Sequence, residues 1–114
     1  MPDDAGAGAN GSAEQDAHLV VEVLTWVNRL VGGPGSGSVV FSEPLRHDDT
    51  VEDVLRRFSA RHPALHDALW TRDGAITDNL HIMVNHRMIG ATHTLRSRLA
   101  PGDRLSLLGQ FSGG

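Results

Sequence analysis

One stretch of this chain carries clear helical periodicity, and it stands between runs that read as strands. In "DDTVEDVLRRFSARHP", Val51, Val54, Leu55 and Phe58 fall at i, i+3, i+4 and i+7, which is one apolar stripe. Arg56, Arg57 and Arg61 lie off it. Asp49 or Thr50 can cap the start, Glu52 and Asp53 suit the positive end of the dipole, and Thr50 to Asp53 has capping-box spacing. Pro63 is expected to close the helix, because proline lacks the N–H that the ladder needs. A single main helix can cover one face of one sheet, so the strands around it should form that sheet.

The strand signals lie on both sides. "HLVVEVLTW" is rich in β-branched residues, and Glu22 marks a wet face, so Val21 and Val23 are expected to point to the core. "VNRLVGGPGSGS" reads as a Gly/Pro/Ser turn. "VVFSEPL" is a second strand, with Pro44 at its end or on an edge. After the helix, "ALHDALW" adds a short helical or irregular connection. In "DNLHIMVNHRMIG", Leu80, Ile82 and Val84 alternate inward and His81 and Met83 outward, with Asn85-His86 as a tight turn. "LAPGDRLSLL" is a Pro-Gly turn leading into a last strand. There Leu105 and Leu107 face one way, and Arg104, Ser106 and Leu108 the other. The expected fold is α+β, a mixed sheet of about five strands with one main helix packed on one face, in the β-grasp (ubiquitin-like) layout. The last strand must then return beside the first. Residues 1–17 are expected to be a disordered extension, 18–108 the β-grasp domain and 109–114 a flexible tail.

Composition narrows the function classes. The chain has 114 residues, enough for one modest core, and few aromatics, so that core must be mainly Leu, Val and Ile. The formal charge is -4 and no basic stripe with interleaved aromatics is present, which argues against nucleic-acid binding. No apolar run reaches membrane-spanning length, and the acidic, Gly/Ala-rich start does not resemble a signal peptide, so a cytoplasmic protein without a membrane partner is expected. Cysteine is absent, which removes disulfides, thiolate metal sites and catalytic thiols. All 10 basic Lys/Arg positions are Arg, so no side chain can form a Schiff base or accept an isopeptide bond. His62 and His66 have helical ligand spacing, but Pro63 lies between them and no third ligand is evident, so no metal site is expected. "GGPGSGS" lacks the lysine and the spacing of a phosphate loop.

Taken together, "NLHIMVNHRMI", "TLRSRLAPGDRLSLLGQFSGG", "VVEVLTWVNRLVGG" and "DDTVEDVLRRFSARHP" resemble the MoaD/ThiS family of ubiquitin-like sulfur carriers over about residues 18–114. The resemblance implies that the C-terminal glycine, Gly114, is activated as an acyl-adenylate by a MoeB/ThiF-type adenylyltransferase that uses ATP. The carrier itself binds no cofactor. A sulfur donor, such as a sulfurtransferase or cysteine desulfurase, then converts the adenylate to a thiocarboxylate, and an acceptor enzyme takes the sulfur. In molybdopterin (molybdenum cofactor) biosynthesis the acceptor is a MoaE-type large subunit, and this chain would be the non-catalytic small subunit. Many MoaD-type tails carry Pro-Pro before the last residues, whereas this chain has Gly109-Gln110 and then Phe111. Thiamine, cysteine, tRNA and natural-product routes therefore stay open. So do a ubiquitin-like modifier and a plain interaction module with an inert tail.

The residue types suit that chemistry. A carboxylate is a poor electrophile until adenylation supplies a leaving group. The chain end must enter another protein's nucleotide site, and Gly113 and Gly114 have no Cβ to obstruct a narrow channel. Met83 and Leu108 point away from the expected core, and Phe111 and Ser112 follow shortly after Leu108. With Arg104 at the rim, these are the expected partner-binding residues.

Overall fold

The computed structural model describes residues 17–89 and 94–109. Strand β1 (His18–Leu24) runs into a 3-10 helix (Thr25–Val31), followed by β2 (Ser38–Pro44), α1 (Val51–Ala60) and α2 (Pro63–Leu69). Strands β3 (Leu80–Val84), β4 (Arg87–Met88) and β5 (Arg104–Gly109) complete the described elements. They form one five-stranded sheet in the order β2-β1-β5-β3-β4. β1 and β5 are parallel, with Val21 opposite Leu105 and Val23 opposite Leu107, and the other pairs are antiparallel. The last strand thus returns beside the first, in the centre of the sheet. This is the β-grasp arrangement: two hairpins joined through a helix that crosses one face.

The period-2 pattern explains which face the helix covers. Leu19, Val21 and Val23 of β1, Leu80, Ile82 and Val84 of β3, and Leu105 and Leu107 of β5 are all buried. They meet Val51, Val54, Leu55 and Phe58 of α1, each with no exposed surface. Thr50 is the cap: Asp53 N donates to Thr50 Oγ1 at 3.2 Å, and Thr50 N donates to Asp53 Oδ2 at 3.0 Å. Asparagine and histidine at the β3–β4 turn both take positive φ (Asn85 51°, His86 71°), as a type I′ hairpin requires. Pro44 closes β2, which is an edge strand.

Two local expectations need correction. Pro63 does not merely end the first helix, which stops at Ala60. It opens α2 at the first turn, where its missing N–H costs nothing, and α2 adds Leu65 and Leu69 to the core. The run after β1 is a 3-10 helix before it is a turn. It buries Val27 and Asn28 and ends at Gly32, whose φ is 89°. Asn28 then organises the glycine-rich loop: its Nδ2 donates to Ser36 O at 3.0 Å, and its Oδ1 accepts from Gly35 N.

Candidate functional site

β5 is the central strand of the sheet, hydrogen-bonded to β1 on one side and β3 on the other, so the segment that leads to the C-terminus is carried by a rigid body. Alternation puts Arg104, Ser106 and Leu108 on the face away from α1. Pairing brings Val20 and Glu22 of β1 beside Arg104 and Ser106, and Met83 and His81 of β3 beside Ser106 and Leu108. Met88 of β4 lies opposite Met83, and Val40 of β2 lies opposite Glu22.

The open face is therefore patterned. Its middle is a polar seam: Arg104 Nη1 lies 3.1 Å from Glu22 Oε1, and Ser106 Oγ donates to the same oxygen at 3.4 Å. Apolar side chains flank the seam. Val40 is 55 % exposed on one side, and Met88 is 41 % exposed on the other, next to half-buried Met83 and Leu108. The structure thus brings Met83, Leu108 and Arg104 onto one face of adjacent strands. Arg104 is not an open steering charge, because Glu22 neutralises it in place. Phe111, Ser112, Gly113 and Gly114 lie outside the described residues.

The histidine pair does not converge. His62 sits among rings, 5.6 Å from the Phe41 centroid and 4.8 Å from the Phe58 centroid, while His66 lies on α2. Among the described residues no group of three or more His, Cys, Asp or Glu is arranged to hold a metal ion. No helix among them is long and apolar enough to cross a membrane.

Sequence reasoning missed Trp26 and Gly109. Trp26 is the second residue of the 3-10 helix, and its ring lies against the backbone of Gly109 at the end of β5. A Cβ at Gly109 would overlap Trp26 Nε1, Cε2 and Cζ2. The available signal was a glycine closing a strand pattern, which marks a close approach to the backbone.

The comparisons agree with this geometry. The ThiS family model matches residues 37–114, from the loop before β2 to the last glycine. Small archaeal modifier protein 1 of H. volcanii is similar, at 25% identity and a TM-score of 0.66, over 83% of this chain and 99% of that one. The same-named protein of Methanosarcina acetivorans aligns at 20% identity with a TM-score of 0.67, over 86% of this chain and 97% of that one. A chain of the BexX/CysO complex of Amycolatopsis orientalis aligns at 21% identity with a TM-score of 0.62, over 84% and 99%. No curated protein shows significant similarity. With its strand order, its central C-terminal strand and a family match that runs through the terminal glycines, this chain belongs to the ThiS family and has the ubiquitin-like β-grasp fold of its sulfur carriers.

Proposed function

We propose that the protein is a cytoplasmic sulfur carrier that works through Gly114. A ThiF/MoeB-type enzyme would join the Gly114 carboxylate to AMP, releasing pyrophosphate from ATP. A sulfur nucleophile would then displace AMP and leave a C-terminal thiocarboxylate. The chain supplies no catalytic side chain to these steps. It supplies a narrow, Cβ-free end carried by a central strand, and a sheet face on which Met83 and Leu108 offer apolar contact. What supports this most is the ThiS match reaching residue 114. Molybdopterin synthesis, with a MoaE-type acceptor, is the route we assign. Gly109-Gln110 in place of Pro-Pro keeps the other thiolation routes as competitors.

A second role is favoured by the likeness to a small archaeal modifier protein at 25% identity. There the same activated tail would be passed to an amine on another protein. Intact-protein mass after incubation with a ThiF/MoeB-type enzyme, ATP and a sulfur donor separates the two. Exchange of one oxygen for sulfur, mapped to the C-terminal peptide, is expected of a carrier. Adducts on other proteins without that exchange would make it a modifier. No change with a cognate activating enzyme would overturn both, and deleting Gly113-Gly114 should abolish either product.

A further inference from the structure

Three observations meet where β5 ends. The first is backbone conformation at the end of β1. Thr25 has φ 55°, the left-handed region that a β-branched residue rarely adopts. It is held there by its N–H, which donates to Gly37 O at 2.8 Å, and by its Oγ1, which donates to Leu24 O at 2.7 Å. The second is the change of partner along β5. β1 accompanies it as far as the pair Val23–Leu107, and Leu108 and Gly109 then continue beside β3 alone. On the side that β1 vacates stands the indole of Trp26, packed so closely on Gly109 that no larger residue fits without moving it. Gly109 is not among the glycines with positive φ, so close approach and not backbone freedom calls for glycine here.

The third is the contrast between the two tryptophans. Trp70 is a core residue, 8% exposed, and its Nε1 donates to Ser59 Oγ at 3.0 Å. Trp26 is 41% exposed and does not belong to the core cluster. A large ring left half in water, behind a strained residue and against the last strand position, contributes little to folding that a smaller side chain could not.

We propose that Trp26 is a positioning residue for the tail: aimed by Thr25, its indole braces Gly109 and sets the direction in which the chain leaves the sheet. This rests on the tail being the reactive end. Its benefit is entropic, since a chain whose base is already oriented loses less freedom when it enters a partner's active site.

The test uses full-length protein with Trp26→Ala, Trp26→Phe and Gly109→Ala, read in two ways. Backbone ¹⁵N relaxation of the free protein reports the order of the Gly109 and Gln110 amides. Steady-state pyrophosphate release with a ThiF/MoeB-type enzyme, ATP and a sulfur donor that displaces AMP reports KM and kcat. Trp26→Ala and Gly109→Ala should both lower the order at these amides and raise KM about tenfold with little change in kcat, whereas Trp26→Phe should stay near wild type. Unchanged amide order in both variants would overturn the brace. A higher KM with unchanged order would also overturn it, making Trp26 a direct contact for the enzyme. If wild type releases no pyrophosphate, the carrier reading fails, and the relaxation data still decide the brace. Should Trp26→Ala not fold, Gly109→Ala carries the test.

Discussion

His62 packs its imidazole against Phe41 and Phe58, and this gives it a pH signature. Burial, followed by the nearby Arg61 charge, pushes its pKa below the usual 6.5, against a smaller opposing effect of Glu43. The unfolded chain therefore takes up a proton before the folded one does. Stability that is full above pH 6.5 is lost as the pH falls below it. Urea midpoints taken at about pH 7.5 and about pH 5.5 should drop in wild type and drop less in His62→Phe; an equal drop in both would remove His62 as the cause. Asp49 acts in a lower window. Burial would raise its carboxyl, but hydrogen bonds from Arg57 and from Arg46 N–H, with the charges of both arginines, outweigh that and hold it below 3.8. Its contribution is present above pH 3.8 and fades as the carboxylate protonates below that. Neither environment was legible in the sequence. His62 drew notice only for its spacing from His66, because the rings that surround it come from β2 and α1.

The β3–β4 hairpin shows how far an element can be read locally. Alternation fixed its faces, and Asn85-His86 its turn, since both signals span only neighbouring residues. Tertiary contacts add to it. Asn85 Nδ2 donates to Asp103 Oδ1 at 3.1 Å, and Asn85 Oδ1 accepts from Arg104 N at 2.9 Å, which pins the turn to the start of β5. Asn85→Ala loses both bonds and the residue best suited to φ 51°, so it should destabilise by about 2 kcal/mol in urea unfolding. His86→Gly, at φ 71°, should instead stabilise by about 0.5 kcal/mol, and a loss there would mean that His86 makes a contact worth more than its backbone strain. The 3-10 helix was not legible in the same way. Its glycine-rich continuation reads as a turn, and burial of Val27 and the Asn28 bonds to Gly35 and Ser36 supply what local propensity does not.

Across the whole molecule, the helix layer is fastened to the edge of the sheet by charge as well as by apolar contact. Glu43 lies on the inner face of β2, 1% exposed, and its Oε1 accepts from Arg61 Nη2 at the end of α1. Arg57, a turn earlier, bonds Asp49 at 2.6 Å and Pro44 O at 3.1 Å. Removing Arg61 alone leaves a buried carboxylate without its partner. Arg61→Leu should cost on the order of 2 kcal/mol, less than for a fully buried pair because Arg61 is half exposed. The double change Glu43→Leu with Arg61→Leu should recover most of it, since the apolar pair needs no solvation. If the double variant is as unstable as the single one, packing at Arg61 and not charge pairing holds this edge.

Periodicity in the sequence determined the main strands and the helix α1, and which side of β1, β3, β5 and α1 is apolar, because those properties depend on residues a few positions apart. From them came the α+β class, the inward residues of β1, β3 and β5, and a helix cap at Asp49 or Thr50, of which the structure uses Thr50. The terminal glycines and their resemblance to sulfur carriers were also legible there. Only the tertiary structure decided that Arg104 is tied to Glu22, that Glu43 is buried under Arg61, and that Trp26 closes on Gly109. Each of these joins residues from different elements. The contacts of Arg104 with Glu22 and of Trp26 with Gly109 are set by how β5 inserts beside β1, and that of Glu43 with Arg61 by how α1 packs against β2; no short-range pattern in the chain encodes either.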